Sequence, residues 1–346
     1  MRGARAASPP HGAAAPQRRG EARARAFPSP HRAQHALTTT ITTFASFRAR
    51  WLLAHAALHA TPARARARAA SDLAWSPDGT AIAVWDSPLE HRVCLHAPDG
   101  ALLGEYSAYS GALGIKCVRW APSGQLLAVG SYDERLRVLN HLTWQPLAEC
   151  AHPSNVRSPE DAVVYKEVVE RPQVEPEEVV ETEMHGGDGD GLAAAARRGR
   201  YVVCALPEAV PVARPPPARA NPKLGVGTVE WSPDGSYVAT VNDNMAGAVW
   251  VWDMRSLALS AVLLHAEPVA AARWEPCAER GAAPRLAIAT GEGRVGLWTP
   301  EGVSCVHVPL PGFKCSDLLW NPAPPGGAPS FVLIDRGSLT VAFLDG

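Results

Sequence analysis

Two short motifs contain residue types that bind phosphate groups or cations. Residues 291–296 match the G-x-G-x-x-G pattern of a dinucleotide-binding turn, which must be followed by a helix because the pyrophosphate sits on the helix N-terminus. Here Val295, Leu297 and Trp298 continue as a strand, so we interpret the motif as a hairpin turn. Residues 185–191 offer Asp188 and Asp190 as oxygen ligands, but they lack the third acid and the terminal Glu of a calcium loop. The sequence therefore predicts neither a dinucleotide site nor a metal site.

Catalytic patterns are missing from the sequence. The 12 histidines are scattered, and no H-E-x-x-H motif or G-x-S-x-G elbow occurs. The seven cysteines form no C-x-x-C pair and have no regular spacing, which argues against a disulfide framework or a zinc site and favours a reducing intracellular compartment. We therefore predict a protein that is not an enzyme, with no catalytic residue, metal or cofactor.

The remaining candidate residues have side chains suited to binding a protein partner. Four aromatic residues outside the repeat described below are expected at the surface, where aromatic side chains are enriched in interface hot spots. Five polar residues fall in predicted turns beside them. The candidate partner-binding residues are Trp85, Asp86, Tyr109, Tyr132, Asp133, Trp144, Asn242, Asp243 and Asn244.

A repeat must position these candidates. Five segments end an apolar stretch with Trp, any residue and Pro, and their tryptophans are Trp75, Trp120, Trp231, Trp274 and Trp320. Their spacings of 45, 111, 43 and 46 residues match a propeller repeat of about 40–45 residues, with an insertion of roughly 66 residues in the longest. We expect the indoles to fill the taper between neighbouring sheets.

Each repeat carries the same predicted strands. Pro ends the first strand because it cannot donate to the ladder, and Asp-Gly or Ser-Gly supplies the positive φ of a tight hairpin. Second strands are predicted at 81–85, 126–130, 237–241, 286–290 and 331–334, third strands at 135–139, 248–253 and 294–298, and fourth strands at 144–149 and 257–264. Four strands per repeat and the Trp252-Asp253 dipeptide predict an all-β, WD-repeat β-propeller with five recognisable blades.

Composition sets the expected boundaries between regions. Residues 1–70 hold 12 Arg and one acid, Glu21, and we expect a mostly disordered arm. A transit peptide and an altered gene start are both open interpretations of it. Blades are predicted at 71–154 and 221–346, separated by a disordered acidic and Pro-rich insertion at 155–220. The stretch 158–191 holds 11 acids against two basic residues, and we expect its deletion to leave folding intact.

Closure of the ring leaves two alternatives. The final repeat has no residues for a fourth strand after its third. The β-prone segment 37–44 could supply that strand, which would remove an exposed edge. Alternatively, the chain forms an incomplete or open ring, which is the interpretation we favour. A helix is also predicted at 47–59.

Charge and hydropathy exclude two further classes. Without the arm the chain holds 21 basic and 33 acidic residues, which argues against a general nucleic-acid binder. No apolar run approaches the roughly 20 residues of a membrane span.

Several sequence segments outside the repeat pattern resemble one protein family more specifically than a WD repeat alone does. They lie at 83–86, 106–109, 113–122, 127–133, 137–144, 164–167, 219–227, 242–244 and 249–253. With these phrases the chain resembles, over roughly 71–346, the orthologous group of WD repeat-containing protein eight, a WD-repeat protein also named for lying antisense to a tumour-protein gene. Members of that group carry further WD repeats at the position of the Arg-rich arm.

The resemblance implies a function. It implies a scaffold of the centrosome or spindle pole that tethers microtubule minus ends and supports spindle assembly. The implied partners are a coiled-coil anchoring protein and, as in fungi, a minus-end-directed kinesin, and the implied location is the cytoplasmic cytoskeleton. Two alternatives remain open, namely a WD-repeat adaptor or substrate receptor in another complex, such as a ubiquitin ligase, and an organellar enzyme on a propeller.

Overall fold

A computed structural model describes residues 70–86, 88–170, 198–216, 222–276, 283–310, 312–321 and 330–343. All described residues belong to one unit, Ala54–Gly346. The strand predicted at 37–44, the helix predicted at 47–59 and the motif at 185–191 lie outside the described residues.

Regular structure in the described residues is almost entirely β. The first sheet contains β1 Ala70–Trp75, β2 Ile82–Asp86, β3 Val93–His96 and β4 Leu102–Tyr106, and the second contains β5 Ile115–Trp120, β6 Leu126–Ser131, β7 Arg135–Asn140 and β8 Pro146–Ala151. The third sheet is built on β13 Val226–Trp231, β14 Tyr237–Asn242, β15 Ala248–Asp253 and β16 Ala258–Leu264. The fourth contains β17 Ala271–Trp274, β18 Leu286–Ala289, β19 Arg294–Thr299 and β20 Gly302–His307, and the fifth contains β21 Asp317–Asn321, β22 Ser330–Ile334 and β23 Leu339–Phe343. A short 3-10 turn at Asp243–Met245 follows β14.

The sequence-based strand assignments are confirmed. Second and third strands begin and end within one residue of their predicted bounds, and fourth strands within two. The G-x-G-x-x-G motif forms the hairpin turn between β18 and β19, where Gly291 has a φ of 77°. This confirms the hairpin interpretation.

Side-chain hydrogen bonds explain the sharp turns after the first strands. The Ser76 hydroxyl donates to Asp78 at 2.5 Å and accepts the Ala81 amide at 2.9 Å. The same contacts recur in the third repeat, where Ser232 donates to Asp234 at 2.5 Å. The hydrogen bonds that Asp78 accepts from the Ser76 hydroxyl and from the amide and hydroxyl of Thr80 lower its pKa to about 2. The Ser-Pro-Asp-Gly sequence therefore fixes the chain reversal between the first two strands.

Apolar side chains fill the spaces between consecutive sheets. Separate buried clusters join the first sheet to the second, the second to the third, the third to the fourth, and the fourth to the fifth. At the second junction, Leu136 and Val138 of β7 pack with Trp250 of β15. Both faces of an inner sheet are covered, which accounts for its nearly continuous apolar strands.

The repeated tryptophans form a ladder of indole hydrogen bonds across these junctions. Each indole N–H donates to the carbonyl of the residue before the tryptophan of the preceding repeat. The pairs are Trp120 with Ala74 at 3.0 Å, Trp231 with Arg119 at 3.2 Å, Trp274 with Glu230 at 3.0 Å and Trp320 with Arg273 at 2.9 Å. Each indole therefore has a hydrogen-bond partner for its N–H group while its ring fills the space between neighbouring sheets, as the repeat predicts.

The insertion is not disordered throughout, and the prediction for 155–220 is wrong in its described parts. β9 Asn155–Val156 pairs with β12 Glu208–Ala209. β10 Val163–Glu170 pairs with β11 Arg198–Val203 as a hairpin, and β10 also runs parallel to β16. The third sheet thereby gains two outer strands. The physical reason is the run Val-Val-Tyr-Lys-Glu-Val-Val in β10, whose β-branched residues outweigh its charges.

Candidate functional site

The turns between second and third strands lie at the same edge of the sheets as the connections between repeats. The Gly114 amide, just before β5, donates to the carbonyl of Pro88 in the first of these turns at 2.7 Å. The Ala213 amide of the insertion donates to the carbonyl of Asn244 at 2.7 Å. The insertion therefore contacts the face formed by these turns. We call this face the turn rim.

One carboxylate joins the second and third repeats on the turn rim. Glu134, with a φ of 66°, accepts hydrogen bonds from the side-chain amides of Asn242 at 3.1 Å and Asn244 at 2.9 Å. Both asparagines are buried. They hold two turns in fixed relative positions, so their amides are committed to this junction.

An ion pair beside Glu134 strengthens the same junction. Lys116 pairs with Asp243 and donates to the carbonyl of Leu224 at 2.8 Å. Its ammonium group lies 5.1 Å from the centre of the Tyr132 ring. A Cβ added at Gly225 would come within 2.5 Å of the Ser131 carbonyl oxygen. Glycine at this position therefore allows the third repeat to approach the second.

A directional chain of hydrogen bonds crosses the same junction in the core. The indole of Trp252 donates to the Thr240 hydroxyl at 3.0 Å, and that hydroxyl lies 2.8 Å from Nε2 of His152. Nδ1 of His152 lies 2.8 Å from the carbonyl oxygen of Glu134. Because a carbonyl only accepts, Nδ1 carries the proton and Nε2 accepts from Thr240. Burial lowers the pKa of His152 to about 4.

A second buried histidine, His91, contacts Ser131 in an arrangement that resembles a nucleophile–base pair, but its tautomer is wrong for that chemistry. Nε2 of His91 lies 3.0 Å from the Ser131 hydroxyl. Nδ1 of His91 accepts the amide of Ala108 at 3.1 Å, so the proton sits on Nε2 and points at the serine. A base that activates serine must instead present an unprotonated nitrogen. Within the described ranges, no group of three or more His, Cys, Asp or Glu side chains could hold a metal ion.

Three of the predicted surface aromatics are buried, so the expectation of exposure is wrong for them. Trp85 is 4% exposed, Tyr132 is 6% exposed and Trp144 is 9% exposed. Trp144 packs edge-on against Trp120 with ring centres 6.1 Å apart. A Cβ at Gly104 would overlap its indole. Trp85 and Trp144 fill spaces between the first two sheets, which is more favourable than hydration of their apolar faces. Tyr132 lies instead beside Lys116 at the junction of the second and third repeats.

The other candidates are positioned on the turn rim with different degrees of access. Tyr109 is partly exposed, donates to the Leu113 carbonyl at 2.6 Å and lies under the Arg137 guanidinium at 5.7 Å. Asp133 is partly exposed and pairs with Arg137 at 2.7 Å, whereas Asp86 is buried and pairs with Arg92 at 2.6 Å. Tyr109, Asp133 and Asp243 are therefore the candidates that keep part of their surface in solvent.

Sequence reasoning missed a buried ion pair that joins the insertion to the fourth sheet. Glu167 of β10 pairs with Arg294 of β19, and their side chains are only 2% and 6% exposed. The second oxygen of Glu167 accepts the Ala266 amide at 3.1 Å. Tyr201 of β11 lies over Gly296, where a Cβ would overlap its hydroxyl. The β-branched residues of β10 were the signal for a strand, but no sequence pattern linked Glu167 to Arg294.

A cleft of about 320 Å³ lies between the insertion and the third repeat. Residues Pro211, Val212, Ala213, Asn244, Ala246, Gly247, Ala248, Leu264, His265, Ala266, Glu267 and Pro268 line it. Nδ1 of His265 lies 3.1 Å from the Gly247 carbonyl. The cleft is mostly apolar and belongs to the turn rim.

Comparisons with known proteins agree with this geometry. Residues 100–140 match the family described as WD domain, G-beta repeat. WD repeat-containing protein WRAP73 of Mus musculus is 38% identical over 274 residues, which cover 78% of this chain and 56% of that protein. The name WD repeat-containing protein eight is an alias of WRAP73. The chain thus spans little more than half the length of this relative.

Two solved structures align with most of this chain. A structure of U3-55K has a TM-score of 0.43 and 13% identity, and covers 80% of this chain and 62% of its own. A crystal structure of RRP9 WD40 repeats has a TM-score of 0.44 and 14% identity, and covers 82% of this chain and 62% of its own. In the described part of the chain, no helix is long and apolar enough to span a bilayer. The repeated four-stranded sheets and the family match identify the chain as a WD-repeat protein with an all-β propeller fold.

Proposed function

We propose that this chain is a non-enzymatic scaffold of the centrosome or spindle pole that helps to anchor microtubule minus ends and to organise the mitotic spindle. The observation that carries the proposal is the 38% identity to WRAP73 over 274 residues. The phrases that resemble its orthologous group support it further, since they lie outside the residues that a WD repeat itself requires. WD domains mediate contacts between proteins.

The turn rim is the surface that we assign to partner binding. Its turns are cross-linked by Glu134 and Lys116, so it presents a rigid frame. Rigid surfaces lose little conformational entropy on association. Leu89, in the turn between β2 and β3, is 71% exposed on this rim. Together with Tyr109, Asp133 and Asp243 it supplies apolar and polar contact area for a coiled-coil anchoring protein and for a minus-end-directed kinesin.

Localisation in dividing cells tests the proposal. A fluorescently tagged full chain is imaged with a pericentriolar marker and a mitochondrial marker. We expect concentration at spindle poles or basal bodies. Uniform import into an organelle through residues 1–70 would contradict the proposal, and so would affinity capture dominated by ubiquitin-ligase subunits.

A further inference from the structure

We propose that Ser158 is a phosphorylation site for a proline-directed protein kinase, and that a phosphate there loosens the β10–β11 hairpin from the third and fourth sheets. Ser158 precedes Pro159 in the connection between β9 and β10, and its side chain is partly exposed. Arg157, Pro159 and Glu160 beside it are exposed. A kinase that selects serine followed by proline therefore meets an accessible surface segment.

The structure separates Ser158 from the other described sites at which a serine or threonine precedes proline. Ser76 and Ser232 also precede proline, but both are buried, and each hydroxyl donates to an aspartate at 2.5 Å. Thr299 precedes Pro300 within a tight hairpin, where it pairs with Gly302. These three residues cannot extend into a kinase cleft without unfolding a sheet. They act as controls within the same molecule.

A phosphate on Ser158 would disrupt the hydrogen bonds of the turn that it belongs to. The Ser158 amide donates to the carboxylate of Asp161 at 3.0 Å, and its hydroxyl accepts the Glu160 amide at 3.2 Å. The Asp161 amide donates to the Ser158 carbonyl at 2.9 Å. A phosphoserine carries about −1.5 to −2 charges and is destabilising beside acidic side chains. Repulsion from Asp161 and Glu160 therefore opens this turn.

The turn leads directly into the strand that anchors the insertion. β10 begins at Val163, two residues after Asp161, and Val164 is 1% exposed. Further along the strand, Glu167 forms the buried ion pair with Arg294. A buried pair of this kind tolerates little misalignment, because displacement of one partner leaves two buried charges that neither the partner nor solvent compensates. Opening the turn at Ser158 therefore weakens the contact between the hairpin and β19.

The chemical step balances with ATP as the phosphoryl donor. The Ser158 hydroxyl oxygen forms a bond to the γ-phosphorus, and the bond from that phosphorus to the bridging oxygen of ADP breaks. The hydroxyl proton passes to the kinase, and ADP leaves.

Phosphopeptide mapping and hydrogen exchange of the full chain test the proposal. The chain is incubated with a proline-directed serine/threonine kinase and Mg-ATP, with Ser158→Ala as the matched control. We expect phosphate at Ser158 and none at Ser76, Ser232 or Thr299. Amides in Val163–Glu170 and Arg198–Val203 should exchange at least about tenfold faster after phosphorylation. The Ser158→Ala chain should show no increase.

Two results would overturn the proposal. The first is a chain that carries no phosphate at Ser158 under conditions that modify a control peptide containing Ser158 to Asp161. The second is a chain phosphorylated at Ser158 whose two strands exchange at the unmodified rate.

Discussion

The indole of Trp231 donates a hydrogen bond of 3.2 Å to the carbonyl of Arg119, although 112 positions separate the two residues in the chain. The other junctions show the same contact between residues 44 to 47 positions apart. The insertion therefore leaves the ladder of indoles unbroken, and the second and third repeats are direct neighbours.

Removing one indole donor should weaken a junction measurably. We expect Trp231→Phe to lower the free energy of unfolding by about 1–3 kcal/mol, because it removes both packing volume and the hydrogen bond to the Arg119 carbonyl. Chemical denaturation followed by circular dichroism measures the change. Leu142→Ala is the control, since Leu142 is 76% exposed and its loss should change stability by less than about 0.5 kcal/mol. Equal stability of Trp231→Phe and the unaltered chain would show that the ladder does not stabilise the junction.

The sequence was sufficient to predict this ladder's spacing because the Trp-x-Pro segments repeat at regular intervals. It could not predict the burial of Trp144, which lies outside the repeat pattern and was expected at the surface. Its burial depends on Gly104 of a neighbouring sheet, and a contact between non-repeating residues leaves no periodic signal.

Trp144 and Gly104 should show coupled effects on stability. Gly104→Ala places a methyl group against the Trp144 indole, and overpacking of this kind costs about 1–3 kcal/mol. In a Trp144→Leu background the same substitution should cost clearly less, because the clash is gone. A double-mutant cycle measures the difference. Additive effects would mean that the two residues do not constrain each other.

The buried pair Glu167–Arg294 should contribute far more than an exposed pair on the same strand. Glu167→Gln removes the hydrogen-bonded carboxylate of the buried Arg294 guanidinium, which keeps a longer contact of 3.6 Å with Glu292, and we expect a loss of about 3 kcal/mol. Lys166→Gln removes an exposed ion pair with Glu208, whose Lys166 side chain is 52% exposed, and should cost less than about 1 kcal/mol. Urea denaturation compares the two variants. Equal losses would show that the hairpin is not held by the buried pair.

The same pair reverses our expectation for deletion of 158–191. That deletion removes β10 and Glu167, so it should lower the melting temperature rather than leave folding intact. The misjudgement has a physical cause. A count of acidic residues treats every charge as solvated, whereas Glu167 has a buried cation across the sheet, and tertiary pairing of this kind is invisible in composition.

Stability should depend on pH through His152. Its pKa is about 4 in the folded chain against an ordinary value of 6.5, so the unfolded chain binds more protons between these values. The free energy of unfolding should therefore be highest above pH 6.5 and fall as the pH drops towards 4, by up to about 3 kcal/mol from this residue. His152→Gln should flatten the profile, whereas Thr240→Ser, which keeps the hydroxyl donor, should retain it. Urea midpoints measured from pH 7.5 to 4.5 test this, and identical profiles for His152→Gln and the unaltered chain would refute it.

Partner capture from mitotic cells tests the scaffold account most directly. Leu89 on the turn rim and Leu142, in the turn between β7 and β8 at the opposite edge of the sheets, are 71% and 76% exposed, so their substitution by Asp is a matched pair. Tagged chains are purified from mitotic cells and their partners quantified by mass spectrometry, with melting temperatures recorded for both variants. The account predicts that Leu89→Asp loses the coiled-coil centrosomal partner and the spindle-pole signal, while Leu142→Asp retains both. Unchanged recovery of that partner with Leu89→Asp, or its loss only with Leu142→Asp, would contradict the account.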